Sequence, residues 1–319
     1  MHPDADIQVP QLDLAGTHRA LRPEIEGAMR AVLSDGRFVG GPVVEAFEDA
    51  WAAYCGVDHG IGVGNGTDAL EITLAALGIA RDAEVIVPAL TYAATAEAVV
   101  NAGARPVFVD VLPTDFSLDP AATAAAVSPR TAAIVAVHLY GQPADMAALR
   151  RVADAHHLAL IEDAAQAHGA AVGDRRVGGL ADAACFSFYP SKNLGALGDA
   201  GAIVTADAGL AERARTLRDH GQAEPGRHTV VGRNSRLDAL QAAVLTVKLP
   251  HLDRWNAGRA AVAARYDAGL GAGFGIAPPA RAAGRTHAFH QYVVCVAEAD
   301  RPGASPAAAR DAVAAHLAG

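Results

Sequence analysis

A chain of 319 residues with 51% hydrophobic and 19% charged side chains can bury one large core and a smaller one, which speaks against a disordered or minimal scaffold. A formal charge of -9 with no basic run speaks against a nucleic-acid or anionic-membrane surface, so anionic ligands would need local sites. Three scattered cysteines (Cys55, Cys185 and Cys295) and thirteen histidines show no zinc-ligand, redox-motif or HExxH spacing, and no metal site is expected.

The first stretch, MHPDADIQVP, has no basic segment followed by an apolar one, and no later stretch offers about eighteen unbroken apolar residues. A soluble protein of a reducing compartment, the cytoplasm, is expected. From about residue 60, short apolar runs rich in β-branched residues alternate with longer Ala- and Leu-rich patterns. A glycine-rich turn, GVGNG, opens the helix pattern TDALEITLAALGI. The strand candidate AEVIVPA is followed by the helix ATAEAVVNAG and by the strands RPVFVDV and TAAIVAVHLYG. The helix DMAALRRVADAHH then precedes the strands LALIEDAA, AACFSFYP and GAIVTAD. This order predicts an α/β fold whose large domain holds a mostly parallel sheet between helices. Ligands of such sheets gather beyond the carboxyl ends of the strands.

Ser235 to Leu270 reads as a long helical region broken at Pro250, the exit from the large domain. Beyond it, GLGAGFGIAPPARAAG reads as loop, FHQYVVCVAE as a strand and SPAAARDAVAAHL as a capped helix. The expected division is an N-terminal arm and large domain over residues 1–248 and a small α+β domain over residues 249–319.

Basic residues total 26, and only Lys192 and Lys248 among them are lysines. In a chain so biased toward arginine, a charge alone would be served by arginine. Lys192, in FYPSKNLGALGDAG, is therefore either retained as an amine or placed by chance in a surface loop. A desolvated lysine can lose its proton and attack a carbonyl, which arginine cannot. Glu162 and Asp163 end the strand LALIED and point to opposite faces, so one of them at most serves a given pocket; a helix N-cap is the other use for such an acid. The N–H groups near Gly66, Thr67 and Asp68 open a helix and could cradle a phosphate, or serve as a plain cap. An amine, a carboxylate beyond a central strand and a phosphate-sized helix terminus together suit one cofactor, pyridoxal 5'-phosphate (PLP). It is held as a Schiff base to a lysine, needs an acid at its pyridine nitrogen and carries a phosphate.

These residues sit in longer motifs: GNGTDAL, VPALTYAATAEAV, GARPVFVDV, HLYGQPADM, IEDAAQAHGA, SFYPSKNLGALGDAGAI and GRNSRLDALQAAVL. In that order they resemble the DegT-type sugar aminotransferases, PLP enzymes of the aspartate-aminotransferase fold (fold type I), from about Ile7 to the end. The resemblance implies that Lys192 holds the cofactor and later moves the proton, that Asp163 partners the pyridine nitrogen, and that Gln166 bonds near the ring oxygen. It implies further that Tyr92 stacks on the ring, where a plain core or strand-end tyrosine is the other reading. Gly66, Thr67 and Ser187 would receive the phosphate. Asn234 would reach the phosphate of a neighbouring subunit, or cap the helix beginning near Arg236, so an obligate homodimer with shared active sites is expected.

The implied reaction moves the amino group of L-glutamate to a nucleotide-linked keto-sugar. FYPSKNLGALGDAG resembles the branch acting at C3 of dTDP-3-keto-6-deoxyhexoses, whereas the branch acting at C4 tends to show a histidine and a threonine around the lysine. A 4-aminotransferase is the alternative within the family, and a non-catalytic relative that binds PLP or a sugar nucleotide is the alternative from another class. A sugar dehydratase would carry histidine in place of Lys192. Family members usually continue past the point matching Gly319, so the small domain is expected to be incomplete.

Overall fold

Seven strands build the central sheet of the computed structural model, which describes residues 13–270, 276–296 and 306–318. They are β1 (His59–Val63), β2 (Glu84–Pro88), β3 (Arg105–Val109), β4 (Thr131–Val137), β5 (Ala159–Asp163), β6 (Ala183–Ser187) and β7 (Gly201–Thr205). Their order across the sheet is β1-β7-β6-β5-β4-β2-β3. β6, β5, β4, β2 and β3 run parallel, and β7 is antiparallel to both β6 and β1. The mostly parallel sheet expected from the alternating pattern is therefore present. β7 departs from it: residues 188–200 fold back on themselves, with Phe188 N–H donating to the Ala200 carbonyl, and return β7 beside β6 in the opposite direction.

Period-two alternation divides the sheet into two apolar faces. Val85, Val87, Val135, Ile161, Cys185 and Ile203 pack against α3 (Gly66–Ala76), α4 (Ala94–Asn101) and α7 (Ala208–Arg218). On the other face, Ala184, Phe186, Ala202 and Val204 pack against α2 (Pro42–Cys55) and α8 (Ala239–Lys248). Ile86, Ile134 and Leu160 meet α5 (Pro120–Ala126) and α6 (Met146–His156) there. Trp51 of α2 is fully buried and lies edge-on to Phe186 and Phe188, with ring centroids 4.9 and 5.3 Å away. Truncating such a residue to alanine costs about 3–5 kcal/mol.

Several boundaries differ from the sequence expectation. β1 was not among the expected strands, because HGIGV carries two glycines, which weaken any strand signal. Both are needed for close packing: a Cβ on Gly60 would run into the Glu48 backbone, and one on Gly62 would lie 2.7 Å from Leu237 Cβ. The helix expected from Ser235 begins at Ala239 as α8, since the Ser235 hydroxyl instead accepts the Gly64 N–H at 3.0 Å. The break at Pro250 is real. A short 3-10 turn over Leu249–His251 separates α8 from α9 (Leu252–Gly269). Of FHQYVVCVAE only Cys295 and Val296 form a strand, paired with Ile276 and Ala277; its last two residues lie outside the described ones. SPAAARDAVAAHL is helical over Pro306–Ala318. The N-terminal arm before residue 13, including Ile7, also lies outside the described residues, which begin with α1 (Leu14–Asp35). Among the described residues no helix is long and apolar enough to cross a membrane.

Candidate active site

Lys192 lies on the β6–β7 connection, and the backbone of that connection is bonded to itself. Lys192 N–H donates to the Tyr189 carbonyl at 2.8 Å, Ala196 N–H to the Phe188 carbonyl at 2.7 Å and Phe188 N–H to the Ala200 carbonyl at 2.8 Å. Asn193 is buried beside it and donates to the Ala288 carbonyl at 2.7 Å and to Asn256 Oδ1 at 2.8 Å. Asn256 in turn donates to the His168 carbonyl at 2.7 Å, which ties the lysine turn to the segment after β5. The Lys192 side chain is itself half-buried. Burial lowers the pKa of its amine, while the nearby charge of Asp163 acts in the opposite direction. That balance favours an amine that can become a nucleophile.

The two acids at the end of β5 divide as alternation requires. Glu162 is fully buried on the α6 side, where it accepts from His138 Nε2 at 2.9 Å and from the N–H groups of Gly178 and Leu180 at 3.1 and 2.9 Å. Asp163 projects on the face of α3 and α4, the same face as Ile161. Its Oδ2 accepts from Thr95 Oγ1 at 2.7 Å and its Oδ1 from Ala165 N–H at 3.2 Å. Asp163 is thus the acid beside Lys192, and Glu162 braces the interior.

Alternation also puts Ser187 at the end of β6 on Asp163's face, after Ala183 and Cys185. The N-terminus of α3 abuts it: a Cβ on Gly66 would lie 2.7 Å from Ser187 Cβ. Asn65 Oδ1 caps α3 by accepting the Asp68 N–H at 2.8 Å. The N–H groups of Gly66 and Thr67, at the first helical positions, have no partner within the helix, and they carry its positive dipole end. Such a helix end can cradle an anion.

Gln166 is half-buried, and its Oε1 accepts the Tyr140 N–H at 2.6 Å. Only the carboxamide oxygen can take an N–H, so Gln166 Nε2 is left as a donor. The bond is made by a strained residue, since Tyr140 sits at φ 59°, a region where a side chain other than glycine is unfavourable. Tyr92 is 73% exposed, at the entrance to α4, and its carbonyl accepts the Thr95 N–H at 3.1 Å.

Asn234 is exposed and does not cap α8, whose N-cap is Asp238. Its backbone bridges to Asp219, and its neighbours hold it to the α3 end of the sheet. Arg233 pairs with Asp68 at 3.1 Å and with Glu71, and Ser235 holds Gly64. The fold therefore brings Lys192, Asp163, Ser187, Gly66 and Thr67 to the carboxyl edge of β5 and β6, with Gln166 and Tyr92 on segments that adjoin it. It leaves Asn234 with its side chain on the surface of the same region.

Sequence reasoning missed Thr95, Tyr140, Asn193, His168 and Lys248. His168 is fully buried, donates from Nε2 to the Ser187 carbonyl at 2.8 Å, and is pushed down to about 3 chiefly by burial and then by the Lys192 charge. The i, i+4 pair Thr91 and Thr95 and the second lysine of a lysine-poor chain were the available signals. A reactive amine, a bonded carboxylate, a free carboxamide donor and an anion cradle on one edge fit a planar pyridine aldehyde phosphate.

Residues 19–317 match the family described as the DegT/DnrJ/EryC1/StrS aminotransferase family. The chain is 49% identical over 287 residues, 90% of its own length and 76% of the relative's, to a dTDP-3-amino-3,4,6-trideoxy-alpha-D-glucose transaminase of Streptomyces venezuelae. It is 51% identical over 288 residues, 90% and 79% of the two lengths, to the erythromycin biosynthesis sensory transduction protein EryC1 of Saccharopolyspora erythraea. The crystal structure of S. venezuelae DesV in complex with a ketimine intermediate superposes with a TM-score of 0.91 at 47% identity, covering 97% of this chain and 81% of that one.

Proposed function

The chain belongs to the DegT/DnrJ/EryC1/StrS aminotransferase family, whose members depend on PLP, and we propose that it moves the amino group of L-glutamate to carbon 3 of a nucleotide-linked keto-sugar. The substrate is taken to be a dTDP-linked 3-keto-6-deoxyhexose; the Streptomyces venezuelae transaminase is named for a dTDP-3-amino-3,4,6-trideoxy sugar, which supports the dTDP group and carbon 3. The observation that carries the reading is the half-buried Lys192 amine, its pKa lowered, beside the hydrogen-bonded Asp163 carboxylate.

When bound, the cofactor supplies an electron sink for the bond being broken at the substrate carbon. This chain's residues do the rest. Lys192 Nζ would hold the cofactor and, once released, would move the proton at the reacting carbon, its lowered pKa favouring the neutral amine that this role needs. Asp163 would accept the pyridine N–H and so favour the charged nitrogen. Gln166 Nε2 would donate toward the ring oxygen, and Tyr92 would pack against the ring. Gly66, Thr67 and Ser187 would receive the phosphate at the end of α3. Asn234, exposed yet anchored through Arg233 and Ser235, reaches the phosphate bound by a second copy, so the working unit is a homodimer with shared sites. The part of the chain after residue 248 would supply the small domain that closes over the sugar. All three cysteines are free, which suits the reducing cytoplasm.

The visible absorbance of the purified protein tests this. An imine band that fades on adding L-glutamate, and that is absent from Lys192→Ala, is expected. A band indifferent to L-glutamate would overturn the first half of the reaction. Amino-sugar formation from a 3-keto but not a 4-keto dTDP-deoxyhexose is expected in the second half, and the reverse preference would overturn the assignment to carbon 3.

A further inference from the structure

The second lysine of the chain is 2% exposed and closes α8. Lys248 Nζ donates to the Gly195 carbonyl and contacts His18 Nε2 of α1 at 3.1 Å. Gly195 lies three positions after Lys192, on the same connection, and its backbone is pressed against the residue before the turn: a Cβ there would run into the Pro190 carbonyl. The next residue, Ala196, returns its N–H to the Phe188 carbonyl at 2.7 Å. A buried cation therefore grips the loop at the point where it doubles back, while Asn193 grips it from the other side through Ala288 and Asn256.

An ammonium suits this place. It is compact, and it sits at the last turn of a helix, where the dipole favours a cation. Burial lowers the pKa of Lys248 to about 8. His18 is also lowered, by burial and by the Lys248 charge, so its neutral ring can accept the Lys248 proton. A buried cation that lost its partner would cost far more than an exposed one, which makes the Gly195 contact a strong constraint on the loop.

We propose that Lys248 is a positioning residue for the reaction, its buried ammonium holding the Gly195 carbonyl so that the turn presents the Lys192 amine beside Asp163. This rests on the reading of Lys192 as the amine that attaches PLP. Lys248 touches neither substrate nor cofactor in this role. It acts through the backbone, and loss of the donor lets the Lys192 amine sample positions away from Asp163.

The test uses the full chain with Lys248→Met, which keeps the stem and removes the donor, and Lys248→Arg, which keeps a donor. Four quantities are read: the rate at which cofactor-free protein forms the imine band with added PLP, the fraction of Lys192 labelled by borohydride trapping and peptide mass mapping, the single-turnover rate with L-glutamate, and KM for L-glutamate. In Lys248→Met, imine formation and the single-turnover rate should each fall by about tenfold or more, with KM for L-glutamate changed by less than about twofold, and Lys248→Arg should recover at least half of that loss on a logarithmic scale. Wild-type rates in Lys248→Met overturn the proposal, as does a Lys248→Arg protein as slow as Lys248→Met. His18→Leu leaves the grip on Gly195 and should slow imine formation by less than about threefold; a loss equal to that of Lys248→Met would place the effect in α1 packing and overturn the proposal. If Lys248→Met does not fold by circular dichroism, Lys248→Gln, with a donor on a shorter stem, carries the same comparison with an expected loss of about threefold, and wild-type rates there overturn it. Failure of the underlying reading is separate: it would show as trapping at a residue other than Lys192 in the wild-type protein.

Discussion

Thr95 Oγ1 donates a hydrogen bond of 2.7 Å to Asp163 Oδ2, and the direction of a second bond follows from it. A threonine hydroxyl has one proton, and Thr95 has used its own on the carboxylate. The 2.8 Å contact between the hydroxyls of Thr91 and Thr95 must then have Thr91 as donor. Two hydroxyls in series point at one oxygen of the acid that faces Lys192.

Thr95→Val keeps the shape and removes that proton. Asp163 Oδ2 loses its donor inside the protein, which should cost about 1–3 kcal/mol of stability in the cofactor-free protein and slow the L-glutamate half-reaction about tenfold. Thr91→Val, one step removed, should have the smaller effect on both. Urea unfolding and single-turnover absorbance check this, and equal rates for Thr95→Val and wild type would refute the relay.

The neighbouring acids should fail in different ways. Glu162 accepts three donors, and His138 must keep its proton on Nε2, because its Nδ1 accepts the Ala144 N–H at 3.0 Å. Glu162→Gln points an amide N–H at existing donors and should destabilise the protein by about 1–3 kcal/mol, while the folded fraction keeps activity within about threefold. Asp163→Asn should cost less stability, because the Thr95 hydroxyl can turn to accept the new amide N–H, and should slow the half-reaction by about a hundredfold or more. The opposite pattern would exchange the roles of the two carboxylates.

Acid should unfold the protein through one buried histidine, His168, and two half-buried ones, His287 and His290. Burial holds His168 at about 3, His290 at about 3 and His287 at about 4, against an ordinary value of 6.5. The unfolded chain takes up these protons as pH falls below 6.5, and the folded chain does not until near 3 to 4. Stability from these groups is therefore complete above pH 6.5 and is lost as pH falls toward 4. For His168 the loss by pH 5 is about 2 kcal/mol. Urea midpoints between pH 7.5 and 4.5 check the slope, which should lessen by about one proton in His168→Gln.

Gly66→Ala tests the cradle at α3. Its new Cβ would lie 2.7 Å from Ser187 Cβ and 3.2 Å from Ser187 Cα, so the helix end must retreat from β6. Affinity for PLP should weaken by about tenfold or more, while pyridoxal, which has no phosphate, should bind as it does to wild type. Equal weakening of both ligands would place the phosphate elsewhere.

Much of the site was legible because its signals are local. The rarity of lysine marked Lys192, the end of an apolar strand marked Glu162 and Asp163, and a glycine-rich turn before a helix marked Gly66 and Thr67. The residues that hold these groups left weaker traces. Tyr140 gives no sign in sequence of its left-handed backbone, and Lys248 lies far along the chain from the Gly195 carbonyl that it grips. Asn234 read equally well as a cap, until Asp238 proved to be the cap of α8.

The sequence by itself determined the α/β alternation, the periodicity of the buried strands and the kinds of chemistry available, because these depend on residue type and near neighbours. Alternation required that Glu162 and Asp163 face opposite ways. It could not say which faced Lys192, because that depends on which helices cover each side of the sheet. Only the tertiary structure decided it, by placing α3 and α4 on the side of Asp163 and burying Glu162 against His138. The same holds for β7, whose antiparallel pairing with both β6 and β1 is set by how the sheet closes, and for Lys248, whose partner is chosen by the packing of α8 under the lysine turn. Contacts between residues distant in the chain are set by how the layers meet, and no local pattern encodes that.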